Sequence, residues 1–376
     1  MSTDGHTRAW VEIRANGVRR NLERIRESVG PDVALIPMVK ADAYGTGMAR
    51  CVGALEPLEP WGFGVATVEE GMALRDLGVE RPILVASPLP PGAYRRAVEA
   101  DLTVSVSDLA GLQRLSEAAH RLDRSADFHL EVDTGMGRAG FDWRQAGDWG
   151  KAVSAFAGGP LRWKGCFTHF HSADSGEPSE TDTQWSRFND ALGSLDLPED
   201  DFLVHLCNSA GALRRPMYGR GGVRPGIFLY GAVAGEGLPD PEPVVTLRAR
   251  VTFIRDTTPG STVGYGATYT AKQWERWASL GIGYGDGLPR ALGNKGHGIV
   301  KGRRVPIIGR ISMDVTVLNI TEVDDVELGD VVTLVGRDGG ESITLEEVAS
   351  HAGTINYEIL TGLTQRLPRI WLEEGG

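Results

Sequence analysis

The chain has 376 residues, 41% of them hydrophobic, so it is long enough for two folded domains. Its formal net charge is −11 and it has no concentrated run of Lys and Arg, which argues against nucleic acid or an anionic membrane as a partner. Only three cysteines occur, too few and too scattered for a disulfide framework or a zinc cluster, so we expect buried thiols and no metal site.

The N-terminal residues lack the pattern of a signal peptide, and no apolar run approaches the roughly 20 residues of a membrane span. We therefore expect a cytoplasmic protein whose partner is a small molecule.

Short apolar runs alternate with helical patterns in the first part of the chain. A helix comes first, with Val18, Leu22, Ile25 and Val29 on one face. Segments such as 68–77, 108–120 and 181–192 are long enough to cross back as helices, which makes the strands parallel. Eight such units close into a (β/α)8 TIM barrel. The predicted strands are 33–39, 61–67, 83–87, 103–107, 127–134, 163–170, 202–208 and 222–226.

The pattern changes after about Tyr230. Residues 235–243 form a linker rich in Pro and Gly, and β-branched stretches separated by turns follow it. The fold class is therefore α/β, a TIM barrel over 13–235 followed by a mostly β C-terminal domain over 236–376. We expect residues 1–12 to pack with the second domain.

Polar residues follow the predicted barrel strands, where a barrel of this kind places its active site. A lysine there can form a Schiff base with a carbonyl compound, although a single lysine at a strand end is more often a solvated charge. A histidine in an apolar strand is more often a core residue, but its ring can also stack on a flat cofactor. The candidates at these strand ends are Lys40, Tyr44, Arg138, His169, Asn208, Ser209, Arg224 and Gly226.

Nine motifs in sequence order resemble those of the alanine racemase family. In the barrel they are VKADAYGTG from Val39, DTGMGRAGF from Asp133, FTHFHSAD from Phe167, HLCNSAG from His205 and VRPGIFLYG from Val223. In the second domain they are VGYGATY from Val263, GIGYGDGLPR from Gly281, GRISMD from Gly309 and NYEILTGL from Asn356. The resemblance spans nearly the whole chain, and a chance assembly of nine such motifs is very improbable.

The resemblance implies a pyridoxal-phosphate enzyme with two catalytic bases. Lys40 would bind the cofactor covalently and serve one face of the substrate, and Tyr265 would serve the other, since racemisation removes a proton on one side and returns it on the opposite side. A tyrosine needs neighbouring cations to act as a base near neutral pH, and Arg138 is the candidate.

The family also implies how cofactor and substrate are held. Arg224 would face the pyridine nitrogen, and its permanent charge would discourage protonation there. Arg138 and the Met313 amide would bind the substrate carboxylate. Tyr284 and Tyr357 would narrow the entrance, with Glu131 and Asp314 nearby. The remaining cofactor contacts would come from Tyr44, His169, Asn208, Ser209, Gly226, Ile227 and Tyr357.

By the same resemblance the protein would be a head-to-tail homodimer, in which Tyr265 and Met313 reach the active site of the partner chain. Its biological role would be the supply of D-alanine for bacterial peptidoglycan.

Three positions depart from the family pattern. Glu131 stands where many relatives have a lysine that becomes carbamylated and orients the arginine seven residues later. The Glu131 carboxylate supplies the same charge on a shorter side chain. A water or an altered backbone would therefore have to bridge to Arg138. Thr46 replaces a common histidine and Ser312 a frequent cysteine. None of these changes removes a base or the pyridine contact.

Three other functions compete with an alanine racemase. A serine or broader-specificity racemase would share every catalytic residue, although Tyr284 and Tyr357 favour alanine. A decarboxylase of this architecture would need a carboxylate where Arg224 stands. A non-catalytic pyridoxal-phosphate carrier would lack the second domain.

Overall fold

The computed structural model describes residues 6–156 and 159–373. In these residues the helices are α1 (Ala15–Val29), α2 (Lys40–Tyr44), α3 (Met48–Leu55), α4 (Val68–Asp76), α5 (Tyr94–Glu99), α6 (Leu109–Leu122), α7 (Ala146–Ser154), α8 (Ser179–Leu192), α9 (Ser209–Arg214), α10 (Leu345–Ala352) and α11 (Asn356–Thr361). The strands are β1 (Ala9–Arg14), β2 (Ala34–Leu35), β3 (Phe63–Val65), β4 (Ile83–Val85), β5 (Thr103–Val106), β6 (Ala126–Asp133), β7 (Phe141–Asp142), β8 (Leu161–Phe167), β9 (Leu203–His205), β10 (Gly222–Val223), β11 (Val245–Thr257), β12 (Thr262–Val263), β13 (Tyr269–Thr270), β14 (Glu275–Leu280), β15 (His297–Val300), β16 (Arg303–Ile308), β17 (Thr316–Asn319), β18 (Val331–Asp338), β19 (Glu341–Ile343) and β20 (Arg369–Leu372).

The first part of the chain forms a closed barrel of parallel strands. Their order is β2, β10, β9, β8, β6, β5, β4 and β3. The two ends of this row join because Met38, just after β2, forms a parallel bridge to Gly64 of β3. The Trp61 amide also donates to the Leu35 carbonyl at 2.9 Å. The predicted (β/α)8 barrel is confirmed, and each of its strands overlaps a predicted one.

Several barrel strands are shorter than the sequence predicts. The first ends at Leu35 where the prediction extends to Val39, and the eighth ends at Val223. Pro37 and Pro225 lie in the missing parts, and proline has no N–H group to donate to a neighbouring strand. The sixth, β8, ends three residues earlier than predicted, so His169 lies on the following loop.

Helices cover the outside of the barrel. Thr67 and Asp108 cap α4 and α6 by accepting hydrogen bonds from backbone N–H groups in the first turns. Helix α1 precedes the first barrel strand and packs against α3, α9 and the 3-10 turn Ile227–Tyr230. It thus covers the side of the barrel where no α-helix follows β10. Its buried face contains the predicted Val18, Leu22 and Ile25.

The second part of the chain is a mostly β domain, as predicted. Its strands follow the order β19, β18, β15, β16, β17, β14, β11, β1 and β20, and a further pairing of β18 with β11 closes part of this sheet into a ring. The N-terminal strand β1 belongs to this sheet, antiparallel to β11 and parallel to β20. Of the N-terminal segment expected to pack here, residues 1–5 lie outside the described part.

The linker between the two parts is held against α1. Asn21 is fully buried; its side chain accepts from the Glu242 amide at 2.7 Å and donates to the Glu242 carbonyl at 3.0 Å. Beyond the linker, α11 returns to the barrel, where the Leu360 carbonyl lies against Gly45. A Cβ on Gly45 would be 2.4 Å from that oxygen, and its φ of +80° also favours glycine.

All three cysteines are free and buried, as expected, and burial raises the pKa of the Cys51 and Cys207 thiols to about 12. Among the described helices, none combines the length and apolar character that crossing a membrane requires.

Candidate active site

A pocket of about 230 Å³ opens at the carboxyl ends of the barrel strands, the usual place for the active site of this fold. Helix α11 of the β domain contributes Tyr357 and Thr361 to its wall. Most of the residues predicted from the sequence are brought together here: Lys40, Tyr44, Glu131, Arg138, His169, Asn208, Ser209, Arg224, Gly226, Ile227 and Tyr357.

The Lys40 side chain lies in this pocket and is largely removed from water. Burial lowers the pKa of its amine, the guanidinium groups of Arg138 and Arg224 lower it further, and the Glu70 carboxylate opposes them. More of the amine is therefore neutral near pH 7, and the neutral amine is the form that acts as a nucleophile or a base.

The backbone after Lys40 forms a left-handed turn. Residues 41–43 have φ of 51°, 53° and 54° with ψ of 49°, 48° and 53°, and Tyr44 continues with φ of 54°. This conformation costs about 1–2 kcal/mol for each residue that has a side chain, so neighbouring contacts must hold it. The turn brings Lys40 and Tyr44 to the same pocket although only three residues separate them.

Hydroxyl and amide donors converge in one part of the pocket. The Gly226 amide donates to Ser209 Oγ at 2.8 Å, and a Cβ on Gly226 would be 2.2 Å from the Tyr44 hydroxyl. The Tyr357 ring lies 6.2 Å from that of Tyr44. Burial raises the pKa of both phenols, to about 12 for Tyr357, so both remain protonated and able to donate. Such a glycine-dependent cradle suits a phosphate group.

Arg224 is buried and hydrogen-bonded on both sides of its guanidinium. Nη1 lies 2.5 Å from His205 Nδ1 and donates to the His205 carbonyl at 2.8 Å, while Nη2 donates to the Thr168 carbonyl at 2.9 Å. The guanidinium also lies 5.0 Å from the centre of the Phe167 ring. Burial lowers the pKa of Arg224 to about 10, so the group is still charged at neutral pH.

His169 lines the pocket beside Arg224, with its Nδ1 3.2 Å from Arg224 Nη2. Burial lowers the pKa of this imidazole to about 3, with smaller contributions from Arg224, Arg138 and Lys40. The ring is therefore neutral at pH 7, as a ring that stacks on a planar cofactor beside cationic groups should be.

Two more histidines continue inward from Arg224, and the sequence analysis does not predict them. His205 Nε2 lies 2.8 Å from His129 Nδ1, and both rings are fully buried. Burial lowers the pKa of both, to about 3 for His129. The alternation of side chains between the two faces of β6 could have predicted His129. His129 lies two residues before Glu131 and therefore on the same face of the strand.

Glu131 and Arg138 both line the pocket. The Glu131 carboxylate accepts a hydrogen bond from Ser107 Oγ at 2.9 Å, and no ion pair in the described part of the chain joins it to Arg138. Burial raises the pKa of Glu131, against the lowering effects of Ser107 and Arg138. The loop that carries Arg138 is instead shaped by Asp133, which accepts from two glycine amides in it.

Asn208 and Thr46 have local backbone contacts. Asn208 Oδ1 accepts from the Gly211 amide at 2.9 Å and so caps α9, which places Ser209 in the pocket. Thr46 is fully buried and its hydroxyl donates to the Ala43 carbonyl at 2.6 Å, behind the left-handed turn.

The other candidate residues of the β domain, unlike Tyr357, lie on its surface outside this pocket. Tyr265 is 69% exposed, Met313 53% and Tyr284 41%. The Tyr284 amide donates to the Ser312 carbonyl at 3.1 Å, and Asp314 pairs with Arg366 at 2.6 Å. These groups therefore form an exposed surface separate from the pocket within one chain.

A group of metal-ligand side chains lies elsewhere in the β domain. Ligand atoms of His297, Glu347 and His351 are within 4.8 Å of one another. The Glu347 carboxylate, however, accepts two hydrogen bonds from Arg304, at 2.8 and 2.6 Å, and Arg304 also pairs with Glu341. The Glu347 oxygens are therefore already engaged by Arg304.

The sequence matches the family profile "Alanine racemase, N-terminal domain" over residues 13–234 and "Alanine racemase, C-terminal domain" over residues 244–371. An alanine racemase of Halothermothrix orenii is 36% identical over 364 residues, which cover 96% of each chain. An alanine racemase of Symbiobacterium thermophilum is 35% identical and 99% of each chain is covered.

Solved structures agree with these sequence relatives. Alanine racemase of Clostridium difficile has a TM-score of 0.92 at 30% identity, over 98% of this chain and 97% of that one. The enzyme of Bacillus anthracis, solved with bound L-Ala-P, has a TM-score of 0.91 at 33% identity, over 99% of this chain and 96% of that one. Since the similarity covers the barrel, the pocket and the β domain together, the chain belongs to the alanine racemase family.

Proposed function

We propose that this isomerase interconverts L-alanine and D-alanine with pyridoxal phosphate as its cofactor. The pocket carries the proposal: an amine of lowered pKa, a charged guanidinium and a cradle of neutral donors line the same small cavity. The family supplies the reaction class. The barrel, 13–235, would hold the cofactor, and the β domain, 236–376, would complete the site.

The pocket residues fit each functional group of pyridoxal phosphate. The Lys40 amine suits the aldehyde, and the charged Arg224 suits the pyridine nitrogen. The neutral His169 ring suits the face of the cofactor. The absence of a side chain at Gly226 makes room for the Tyr44 hydroxyl, a neutral donor that suits a phosphate. The phosphate contacts we assign are Tyr44, Ser209, Tyr357 and the amides of Gly226 and Ile227, and Asn208 completes the wall.

When bound, pyridoxal phosphate acidifies the α-hydrogen of an attached amino acid. Lys40 Nζ then holds or returns the proton on one face of the α-carbon, which its lowered pKa favours. Inversion needs a second group on the opposite face, and we assign this role to Tyr265 of a second copy of the chain.

The proposed enzyme is a homodimer with shared active sites. Tyr265, Tyr284 and Met313 are large side chains that one chain leaves exposed on the surface of its β domain. Exposed apolar groups of this kind are frequent where another protein surface packs. A second copy would bring Tyr265 and the Met313 amide to the pocket, with Asp314 beside them.

Arg224 favours racemisation over other reactions of the same cofactor. It stays charged and is fixed by His205 and Thr168, so it offers the pyridine nitrogen a hydrogen-bond donor without offering it a proton. The unprotonated ring is a weaker electron sink, which restrains side reactions. A decarboxylase would place a carboxylate at this position.

Arg138 and the Met313 amide would bind the substrate carboxylate, while Tyr357 and Tyr284 would limit the side chain to a small one such as that of alanine. A serine or broader-specificity racemase would use the same machinery, and the assay below separates these substrates. We propose a cytoplasmic enzyme that supplies D-alanine for peptidoglycan.

The test is α-proton exchange with inversion. The purified protein, loaded with pyridoxal phosphate, is incubated with L-alanine in deuterated water, and D-alanine and α-deuterium are measured. L-serine is offered in parallel, and Lys40→Ala is the control. We expect D-alanine that carries solvent deuterium from the native protein and none from the variant.

Other outcomes separate the alternatives. Equal turnover of serine would favour a broad racemase. Exchange without inversion would mean that only one of the two bases acts, which contradicts the two-base assignment of Lys40 and Tyr265. Cofactor binding with neither exchange nor inversion would favour a non-catalytic carrier.

A further inference from the structure

We infer that Glu70, on α4, positions Lys40 by holding the left-handed turn that begins at Ala41, the residue after Lys40. The inference rests on the proposed function in one respect, namely that Lys40 carries the cofactor. Glu70 does not line the pocket, so it would act through the backbone of the turn rather than on the substrate.

The Glu70 carboxylate joins the turn to the end of a barrel strand. Oε1 accepts from the Ala41 amide at 2.6 Å, and Oε2 accepts from the Ala66 amide at 2.8 Å, just after β3. The same Oε2 lies 3.3 Å from the Thr67 amide and completes a capping box at the start of α4. The Glu70 side chain thus links Ala41, which follows Lys40, to the end of β3 and the start of α4.

The turn depends on such a contact because its backbone is strained. Ala41 is the first of four consecutive non-glycine residues with φ between 51° and 54°. Residues of this kind remain left-handed only where surrounding groups over-determine the conformation. Relaxation of the turn would redirect Lys40 and Tyr44, which lie at its two ends and both line the pocket.

Glu70 also opposes the cations around Lys40. Its carboxylate raises the pKa of the Lys40 amine, whereas burial, Arg138 and Arg224 lower it. Neutralising Glu70 should therefore lower the pKa of Lys40 further. The other titratable groups that share the pocket with Lys40 are Tyr44, Glu131, His169 and Tyr357.

The test compares four variants of the full-length protein. Glu70→Ala removes all three hydrogen bonds to backbone amides, and Glu70→Gln keeps one acceptor oxygen but removes the charge and the second acceptor. Thr67→Ala breaks the other half of the capping box and leaves the carboxylate in place. Glu69→Gln neutralises the adjacent exposed carboxylate, which pairs with Arg96.

Two measurements are made on each variant. The first is the rate at which added pyridoxal phosphate combines with Lys40 in stripped protein, followed by absorbance as a function of pH. The second is kcat and KM for L-alanine in the reloaded enzyme. The binding measurement does not require racemase activity, so it remains informative if the proposed function fails.

We expect Glu70→Ala to slow cofactor attachment and to lower kcat by up to about 100-fold, the cost of misplacing a reacting group by about an ångström, with little change in KM. Glu70→Gln should shift the pH midpoint of attachment to lower pH. Thr67→Ala and Glu69→Gln should leave rate and midpoint unchanged.

The inference is overturned if Glu70→Ala behaves like Thr67→Ala in attachment rate and kcat, since helix capping alone would then explain the contact. If Glu70→Ala fails to fold, the attachment rate of Glu70→Gln decides, because one amide oxygen cannot accept from both Ala41 and Ala66 as the carboxylate does, and a native rate overturns the inference. If the native protein binds cofactor in a Glu70-dependent way but does not racemise alanine, the inference stands and the proposed function fails.

Discussion

At the scale of single residues, Gly226 shows how one missing side chain creates a binding site. A Cβ there would lie 2.2 Å from the Tyr44 hydroxyl and 2.9 Å from the ring carbon that bears it. We expect Gly226→Ala to displace Tyr44 and to weaken pyridoxal phosphate binding by 10-fold or more, about 1.4 kcal/mol. Fluorescence titration of stripped protein with the cofactor measures this.

Gly53→Ala is the matched control, because nothing lies within 4 Å of a Cβ built at Gly53 of α3. It should bind the cofactor normally, and the better helix propensity of alanine should raise its stability slightly. Normal cofactor affinity in Gly226→Ala would mean that the phosphate lies elsewhere in the pocket.

The buried imidazoles make stability sensitive to acid. Burial lowers the pKa of His129, His169 and His205, to about 3 for the first two, whereas the same side chains titrate near 6.5 in an unfolded chain. Between about pH 6.5 and 3 the unfolded state therefore binds more protons, so stability is full above this window and falls as the pH falls. Urea unfolding at pH 7 and pH 5 checks this.

His129→Gln should reduce that pH dependence by up to about 1.4 kcal/mol per pH unit, since one neutral buried imidazole is removed. A glutamine amide can still meet His205, and His129 Nε2 has no hydrogen-bond partner among the described residues. If the unfolding free energy of His129→Gln depends on pH as steeply as that of the native protein, the lowered pKa of His129 is contradicted.

At the scale of elements, the linker is fixed by α1, and we expect this to matter for stability. Asn21→Ala removes two hydrogen bonds between a fully buried side chain and the Glu242 backbone, which should cost about 1–3 kcal/mol of unfolding free energy. Asn16→Ala on the same helix, where the side chain accepts a hydrogen bond from Arg19, should cost less. Urea unfolding curves measure the loss in each variant. Equal losses of unfolding free energy would mean that the contact with the linker does not contribute to stability.

The same elements show what can be predicted from sequence. Apolar runs separated by helical patterns were enough to place every barrel strand, because strand burial leaves a direct trace in residue type. The motifs predicted most of the candidate residues that line the pocket, among them Lys40 and Tyr357.

Features that depend on packing could not be predicted in this way. Nothing in the letters KADAY indicates a left-handed turn, and the first amide of that turn donates to Glu70, 29 positions later in the chain. The Glu131 hydrogen bond to Ser107 joins residues 24 positions apart and reflects strand order, and the same is true of the His129–His205 contact. Strand lengths also depended on where prolines interrupt pairing.

At the scale of the whole molecule, the proposed shared site makes a prediction about mixed dimers. Lys40→Ala and Tyr265→Phe should each be nearly inactive as homodimers. In a mixed dimer, the Tyr265→Phe chain supplies Lys40 while the Lys40→Ala chain supplies Tyr265, so one of the two sites is intact. Random reassociation places half of the molecules in mixed dimers, and activity should recover to about a quarter of the native value.

The measurement is racemase activity after the two variants are mixed, dissociated under mild denaturant and allowed to reassociate. Each variant treated alone is the control. The exposed position of Tyr265, 69% accessible in one chain and outside that chain's pocket, is what leads us to expect recovery. If mixing restores nothing while the dimers do exchange, Lys40 and Tyr265 do not act across a dimer interface, and the opposite face of the substrate must be served by a group of the same chain.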